Sequence, residues 1–188
     1  MNLSRDKSGQ ALLEFAFVLP MLCIFLLGAV DYGRAVYQAE VITNLAGEGS
    51  SVASRSNLGS LQANLQAAGN TVMADSDLRM TANGCAILTA VTSPSSGQYA
   101  ITGQSQPNDP ACTISVTSRI GCYPPSGTCN VNIVHIPTGV QNALTNEPSG
   151  STVYVTEVFY KYFYVTPVGS LLHGTGALPS QLYAVAFY

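Results

Sequence analysis

The sequence predicts an α+β fold in which a long N-terminal helix packs on a small antiparallel sheet. Three observations predict it. Residues 11–30 are apolar apart from Glu14, helical periodicity continues beyond them to about residue 54, and after Leu78 the pattern changes to short runs rich in Val, Ile, Thr and Tyr. Those runs are separated by the turn signals SPSSGQ, QPNDP, YPPSG, IPTG and EPSG.

The apolar run comes first. Its 20 residues, Ala11 to Val30, match a hydrocarbon core of about 30 Å at about 1.5 Å rise per residue. Arg5 and Lys7 precede it, while Asp31 and Arg34 follow, so the charge bias places the N-terminus in the cytoplasm and exports the rest. Past the run, Tyr32, Ala35, Val36, Ala39, Ile42, Leu45, Ala46 and Val52 recur at three- and four-residue steps. Arg34, Gln38, Asn44, Glu48, Ser51 and Arg55 take the other side. One helix over about residues 11–54 follows, greasy all round in its first half and amphipathic in its second. After a break at Asn57 and Gly59, Leu61, Leu65, Ala68 and Val72 predict a second helix from Gly59 to Ala74. Candidate strands are Cys85–Val91, Cys112–Thr117, Asn130–Ile136, Thr152–Val165 and Gln181–Tyr188. Their short links suit antiparallel pairing rather than βαβ units.

Composition narrows the function. Only 9% of residues are charged, against about a quarter in ordinary soluble domains, and polarity comes from Ser, Thr, Asn, Gln and Gly, as suits an exported surface. The net charge of −3 and the lack of a Lys/Arg cluster argue against nucleic acid as a partner. Four of the five cysteines, Cys85, Cys112, Cys122 and Cys129, lie in the exported part, while Cys23 lies in the apolar run. The tight loop CYPPSGTC favours a Cys122–Cys129 disulfide and, by remainder, Cys85–Cys112. A four-cysteine zinc site competes, but intervals of 26, 9 and 6 residues contain no CxxC knuckle. No other metal or cofactor motif stands out.

Glu14 needs its own account, because an ionisable group in a span costs roughly 2.5–3.5 kcal/mol on insertion scales. Snorkelling to the nearby headgroups is adequate as geometry. A lipoprotein signal ending at Cys23 fails on Leu22 before the cysteine, and a cleaved secretory signal is disfavoured by the length of the run. Spacing gives the sharper answer. Gly9 is followed by four residues, Gln10 to Leu13, and then Glu14, at the mouth of an apolar helix.

That arrangement resembles the processing signal of type IV prepilins, in which a membrane aspartyl peptidase cuts after the glycine. Cutting there would free an amino group at Gln10, and a carboxylate on a neighbouring helix could neutralise it inside lipid. The resemblance narrows to the TadE-like family of Tad (tight adherence) pilus systems. It rests on Glu14, Phe15, Ala16, Val18 and Pro20, on Asp31, Gly33 and Arg34, and on Ala46, Glu48 and Gly49, with Ser50 where the family often has Ala. At the other end, VFYKYFYVTPVGSLL and LYAVAFY resemble the family's aromatic strand, T-P, Leu-rich turn and final strand. The resemblance implies a minor pilin or pseudopilin that supports pilus assembly, surface adhesion and biofilm formation. Its implied partners are a prepilin peptidase, other Tad pilus subunits, the inner-membrane assembly platform and membrane lipid. The implied organisation is a leader over 1–9, a long helix over 10–55 with its anchor at 11–30, and an exported head over 56–188. Gly9, Gln10 and Glu14 form the expected processing site, and Glu14, Phe15 and Pro20 the expected recognition and assembly elements. Pro20 would loosen the span by removing one backbone donor.

Other constellations are weaker. His135 and His173 lack HExxH or GxSxG surroundings, so no enzyme is expected. Asp75 and Asp77 read as turn residues rather than a calcium loop. Tyr154, Tyr160, Tyr162 and Tyr164 share one side of the aromatic strand, with Glu157, Phe159, Lys161 and Phe163 on the other. That tyrosine face supports a rival reading, an uncleaved signal-anchored protein that binds a glycan or host surface.

Overall fold

The computed structural model describes residues 7–74, 77–93, 99–105, 112–114, 116–121, 129–130 and 136–188. The element order is α1 (Lys7–Arg55), α2 (Leu61–Met73), α3 (Met80–Asn83), β1 (Gly84–Thr92), β2 (Ala100–Gln104), β3 (Cys129–Asn130), α4 (Thr138–Asn146), β4 (Thr152–Lys161), α5 (Pro167–Gly174) and β5 (Gln181–Phe187). The chain divides into two compact units. One comprises Met1–Tyr37 with Phe163–Ser180, the other Gln38–Tyr162 with Gln181–Tyr188.

The larger unit is built on an antiparallel sheet in the order β3-β2-β1-β4-β5. Four strands carry it, since β3 has two residues. Register fixes what each face holds, because successive side chains alternate. Cys85, Ile87 and Val91 of β1 share a face with Val155, Glu157 and Phe159 of β4 and with Tyr183 and Val185 of β5. Ala86, Leu88 and Ala90 share the opposite face with Thr156, Val158, Tyr160, Leu182 and Ala184.

The second face takes α2 and the later part of α1. Ser60 caps α2 by accepting a hydrogen bond from the Ala63 N–H at 3.2 Å, and Leu65, Ala68 and Val72 are buried at the predicted helical spacing. A Cβ at Gly49 of α1 would lie 2.7 Å from Val72 Cγ2 and 2.9 Å from Thr156 Cγ2. Helix and sheet can therefore approach this closely only without a side chain at that position. Ser50 is buried with its hydroxyl sharing a hydrogen bond between Ala46 O and Gly47 O.

The first face is covered by α4 and by residues 112–114 and 116–121. Val140 and Leu144 of α4 join Val91, Val153, Val155, Ile101 and Ile120 in one cluster, while Ile114 and Val116 pack with Cys112 over Cys85, Ile87 and Phe159.

Several expectations need correction. The described residues of 112–117 form no strand. β1 is already paired by β2 and β4 on its two edges, so this apolar segment lies over the sheet face instead of joining the ladder. The strand expected over 152–165 stops at Lys161 because residues 163–166 lead into the cap of α5. Of the run 130–136, Asn130 is in β3 and 131–135 lie outside the described residues. The buried stripe of α1 is also rotated from the expected one. Asp31, Ala35, Gln38, Ile42, Leu45, Ala46 and Ser50 are buried, whereas Tyr32 and Val36 are exposed. Small residues and a capping carboxylate allow closer contact than the larger apolar side chains beside them.

Candidate functional site

The first half of α1 has the length and apolar surface of a helix that could cross a membrane. It is helical from Lys7 without interruption at Pro20, where the ring removes the donor that would have bonded the carbonyl of Ala16. Leu12, Phe15, Phe17, Leu22 and Phe25 are all exposed, and the helix is long and apolar enough to cross a membrane. Gly9 has open space around it. One helical turn separates Gln10 from Glu14, whose Oε1 accepts a hydrogen bond from Gln10 Nε2 at 3.2 Å. The structure thus places Gly9, Gln10 and Glu14 at one exposed end of α1, with Phe15 at 62% exposure beside them. Cys23 is a free, exposed thiol.

The end of the apolar run carries a clasp that sequence reasoning missed. Asp31 Oδ1 accepts from the Val165 N–H at 3.0 Å, and Oδ2 accepts from the Thr166 N–H at 3.3 Å and from the Thr166 hydroxyl. Thr166 in turn caps α5 by accepting from the Gly169 N–H at 3.2 Å, and Pro167 supplies the first helical residue. A Cβ at Gly169 would fall 2.3 Å from Asp31 Oδ2. Burial pushes the Asp31 carboxyl up, but the Thr166 hydroxyl, the Val165 and Thr166 amides and the nearby Arg34 charge outweigh it and hold it below its usual value. Two motifs 135 positions apart in the chain are therefore one interaction.

A second buried carboxylate lies in the sheet. Glu157 Oε1 accepts from the Arg119 N–H at 2.8 Å and the Tyr183 hydroxyl at 3.0 Å, and Oε2 accepts from Ser118. The Arg119 guanidinium stands 4.0 Å above the Tyr183 ring and 6.0 Å from that of Phe159. Burial raises the Glu157 carboxyl above its usual range against the opposing pull of Ser118, the Arg119 amide, Tyr183 and the Arg119 charge, and burial beside Glu157 likewise raises the Tyr183 hydroxyl. This group ties the 118–120 segment to the sheet.

Cys85 and Cys112 are joined by a disulfide, with their Cα atoms 4.6 Å apart, which removes both sulfurs from any zinc set. Cys122 lies outside the described residues, and Cys129 opens β3. His135 and Asp75 also lie outside the described residues. His173 is in α5, with Nδ1 3.2 Å from Leu178 O and its ring against Tyr164. The four tyrosines expected to share a face are not equally exposed: Tyr154 and Tyr164 are half-buried. Tyr160, on the side of the sheet that takes the helices, and Tyr162, just past the end of β4, are buried, 5% and 3% exposed.

A long N-terminal apolar helix together with a small antiparallel sheet is consistent with an α+β, pilin-like fold. The profile of the family described as TadE-like protein matches residues 9–51, the first and larger part of α1. Neither the curated proteins nor the solved structures contain a match to it.

Proposed function

We propose that this chain is a minor pilin or pseudopilin of a Tad pilus, processed after Gly9 by a prepilin peptidase and active through recognition and polymer contact rather than bond-making. Its leader is residues 1–9, its stem 10–55 with the anchor at 11–30, and its exported head 56–188. It sits in the inner membrane with its N-terminus in the cytoplasm, engages the assembly platform and other pilus subunits, and serves adhesion and biofilm formation.

One observation supports this reading above the rest. Glu14 is one turn from Gln10, at the start of a helix whose apolar side chains are open all round, inside the segment that matches the TadE-like family. Cleavage would leave the Gln10 amino group within one turn of a carboxylate on its own helix or of the Glu14 of a neighbouring helix. Either pairing lowers the cost of a charge in lipid.

Intact mass of the membrane-extracted chain, after co-expression with a cognate prepilin peptidase, tests the proposal. Loss of residues 1–9 is expected, and Gly9→Val should abolish the loss without disturbing the fold, since nothing lies against Gly9. Retention of residues 1–9 in the unsubstituted chain would refute the processing step. Glu14→Ala is expected to leave the head folded while impairing recognition or pilus assembly.

A further inference from the structure

Between β4 and β5 the chain makes an excursion, residues 162–180, that contains no Asp, Glu, Lys or Arg. Its helix α5 lies against α1 at a defined level. Val168 and Leu172 come within 3.8 and 3.7 Å of where a Gly28 Cβ would stand, and Asp31 holds Val165 and Thr166. Gly28 is two residues inside the end of the apolar run, about 3 Å along the axis. If residues 11–30 cross the bilayer, α5 lies at the boundary between acyl chains and headgroups.

The surface that this excursion leaves uncovered suits that level. Phe163 is 46% exposed, Val165 56% and Leu171 68%. Tyr32, exposed one residue past Asp31, has the amphipathic ring that favours headgroup depth. Asp31, which would be costly so near hydrocarbon, is fully buried with its oxygens occupied by three donors.

We propose that residues 163–180 form a membrane-interfacial wedge, which inserts Phe163, Val165 and Leu171 into the leaflet from which α1 emerges and takes the lipid surface itself as its ligand. The proposal rests on the reading of residues 11–30 as a span. Amphipathic elements of this type typically sink about 5–10 Å into the boundary region, which fits a short helix fixed beside the last turn of a span.

The chain has no tryptophan, so single-tryptophan variants report depth directly. The full-length chain would be reconstituted into phosphatidylcholine/phosphatidylglycerol vesicles with and without dibrominated phosphatidylcholine, carrying Leu171→Trp, Val165→Trp, Val18→Trp or Tyr37→Trp. Leu171 and Val165 are exposed, so either can accept the ring. Emission from Leu171→Trp and Val165→Trp is expected to fall about twofold or more in brominated vesicles, as for an interfacial helix, with Val18→Trp also strongly quenched and Tyr37→Trp weakly. Quenching of both no greater than that of Tyr37→Trp, while Val18→Trp is quenched, would overturn the wedge and leave the span intact. Blue-shifted emission without bromolipid quenching would overturn it in favour of cover by another protein subunit. Absence of quenching in Val18→Trp would overturn the span and the wedge with it.

Discussion

Replacing Asp31 by alanine tests the clasp most directly. The carboxylate takes two backbone N–H groups and one hydroxyl, and its loss leaves all three facing a small void. A donor buried without a partner costs about 1–3 kcal/mol, and these donors are only partly buried, so a net loss of roughly 2–4 kcal/mol for docking of residues 163–180 is reasonable. At tenfold per 1.4 kcal/mol, amide exchange at Val165, Thr166 and Gly169 should accelerate about 30- to 700-fold. Hydrogen–deuterium exchange of the full chain in micelles reads this. Asp31→Asn keeps one acceptor for Val165 but turns an N–H toward the Thr166 amide, so it should fall between alanine and the unsubstituted chain. Thr166→Val combined with Asp31→Ala should cost less than the sum of the two, since both remove the same bond. Acid gives the same answer by titration. The folded carboxyl lies below its ordinary value near 3.8, so the docking it stabilises is complete above that value and is lost as pH falls through the lower folded one. Exchange at these amides within about twofold of the unsubstituted chain in Asp31→Ala would refute the clasp, because even one lost hydrogen bond to a charged group exceeds that.

The larger unit makes three further predictions. Gly49→Val should lower its thermal stability by about 1–3 kcal/mol, through overpacking against Val72 and Thr156, with calorimetry as the check. Cys85→Ala with Cys112→Ala opens a loop closed over a separation of 27 residues and should cost about 2–4 kcal/mol by the urea midpoint under non-reducing conditions. For Glu157 the folded state binds its proton more tightly than the unfolded chain. Stability should therefore fall as pH rises from about 4.5 through the raised folded value, and Glu157→Gln, which keeps an oxygen for Arg119 and Tyr183, should flatten that slope in urea titrations at successive pH values.

What the sequence made legible was what periodicity encodes. The long helix, α2, β1, β4 and β5 follow from runs of three-, four- or two-residue spacing, and the alternation in VTEVFYK correctly sets Glu157 beside Phe159. Elements built from weak local preference escaped. AITGQ is five residues with a glycine, TGVQNALTN is poor in helix formers, and PVGSLLHG reads as a turn until Thr166 and Asp31 cap it. Burial of Glu157, Asp31 and Gln38 was not legible either, because a polar side chain on a periodic element reads as solvent-facing unless its distant partners are known. Asp31, Thr166 and Pro167 were each singled out by the resemblance, yet their contact spans most of the chain and leaves no local trace. The Gly9–Glu14 spacing is the opposite case, being local and visible in full.

The contrast between Asp31 and Glu14 of α1 bears on what the helix is for. Asp31 is buried and satisfied within its own chain, and its neighbours Gly28 and Ala35 pack or are buried as in any folded stem. Glu14 is exposed on a stretch where Leu12, Phe15, Phe17, Leu22 and Phe25 are open as well. A carboxylate beside that much apolar surface would gain nothing from solubility alone, since one charge cannot keep such a helix in water. Its cost in lipid falls when a cation comes within hydrogen-bonding range, and the amino group that cleavage would create at Gln10 is a cation that the spacing would bring there. The proposed processing and the proposed assembly contact therefore have one physical basis. If the proposed function holds, blocking the cut at Gly9 should impair assembly to the extent that removal of Glu14 should, and combining the two changes should add little to either.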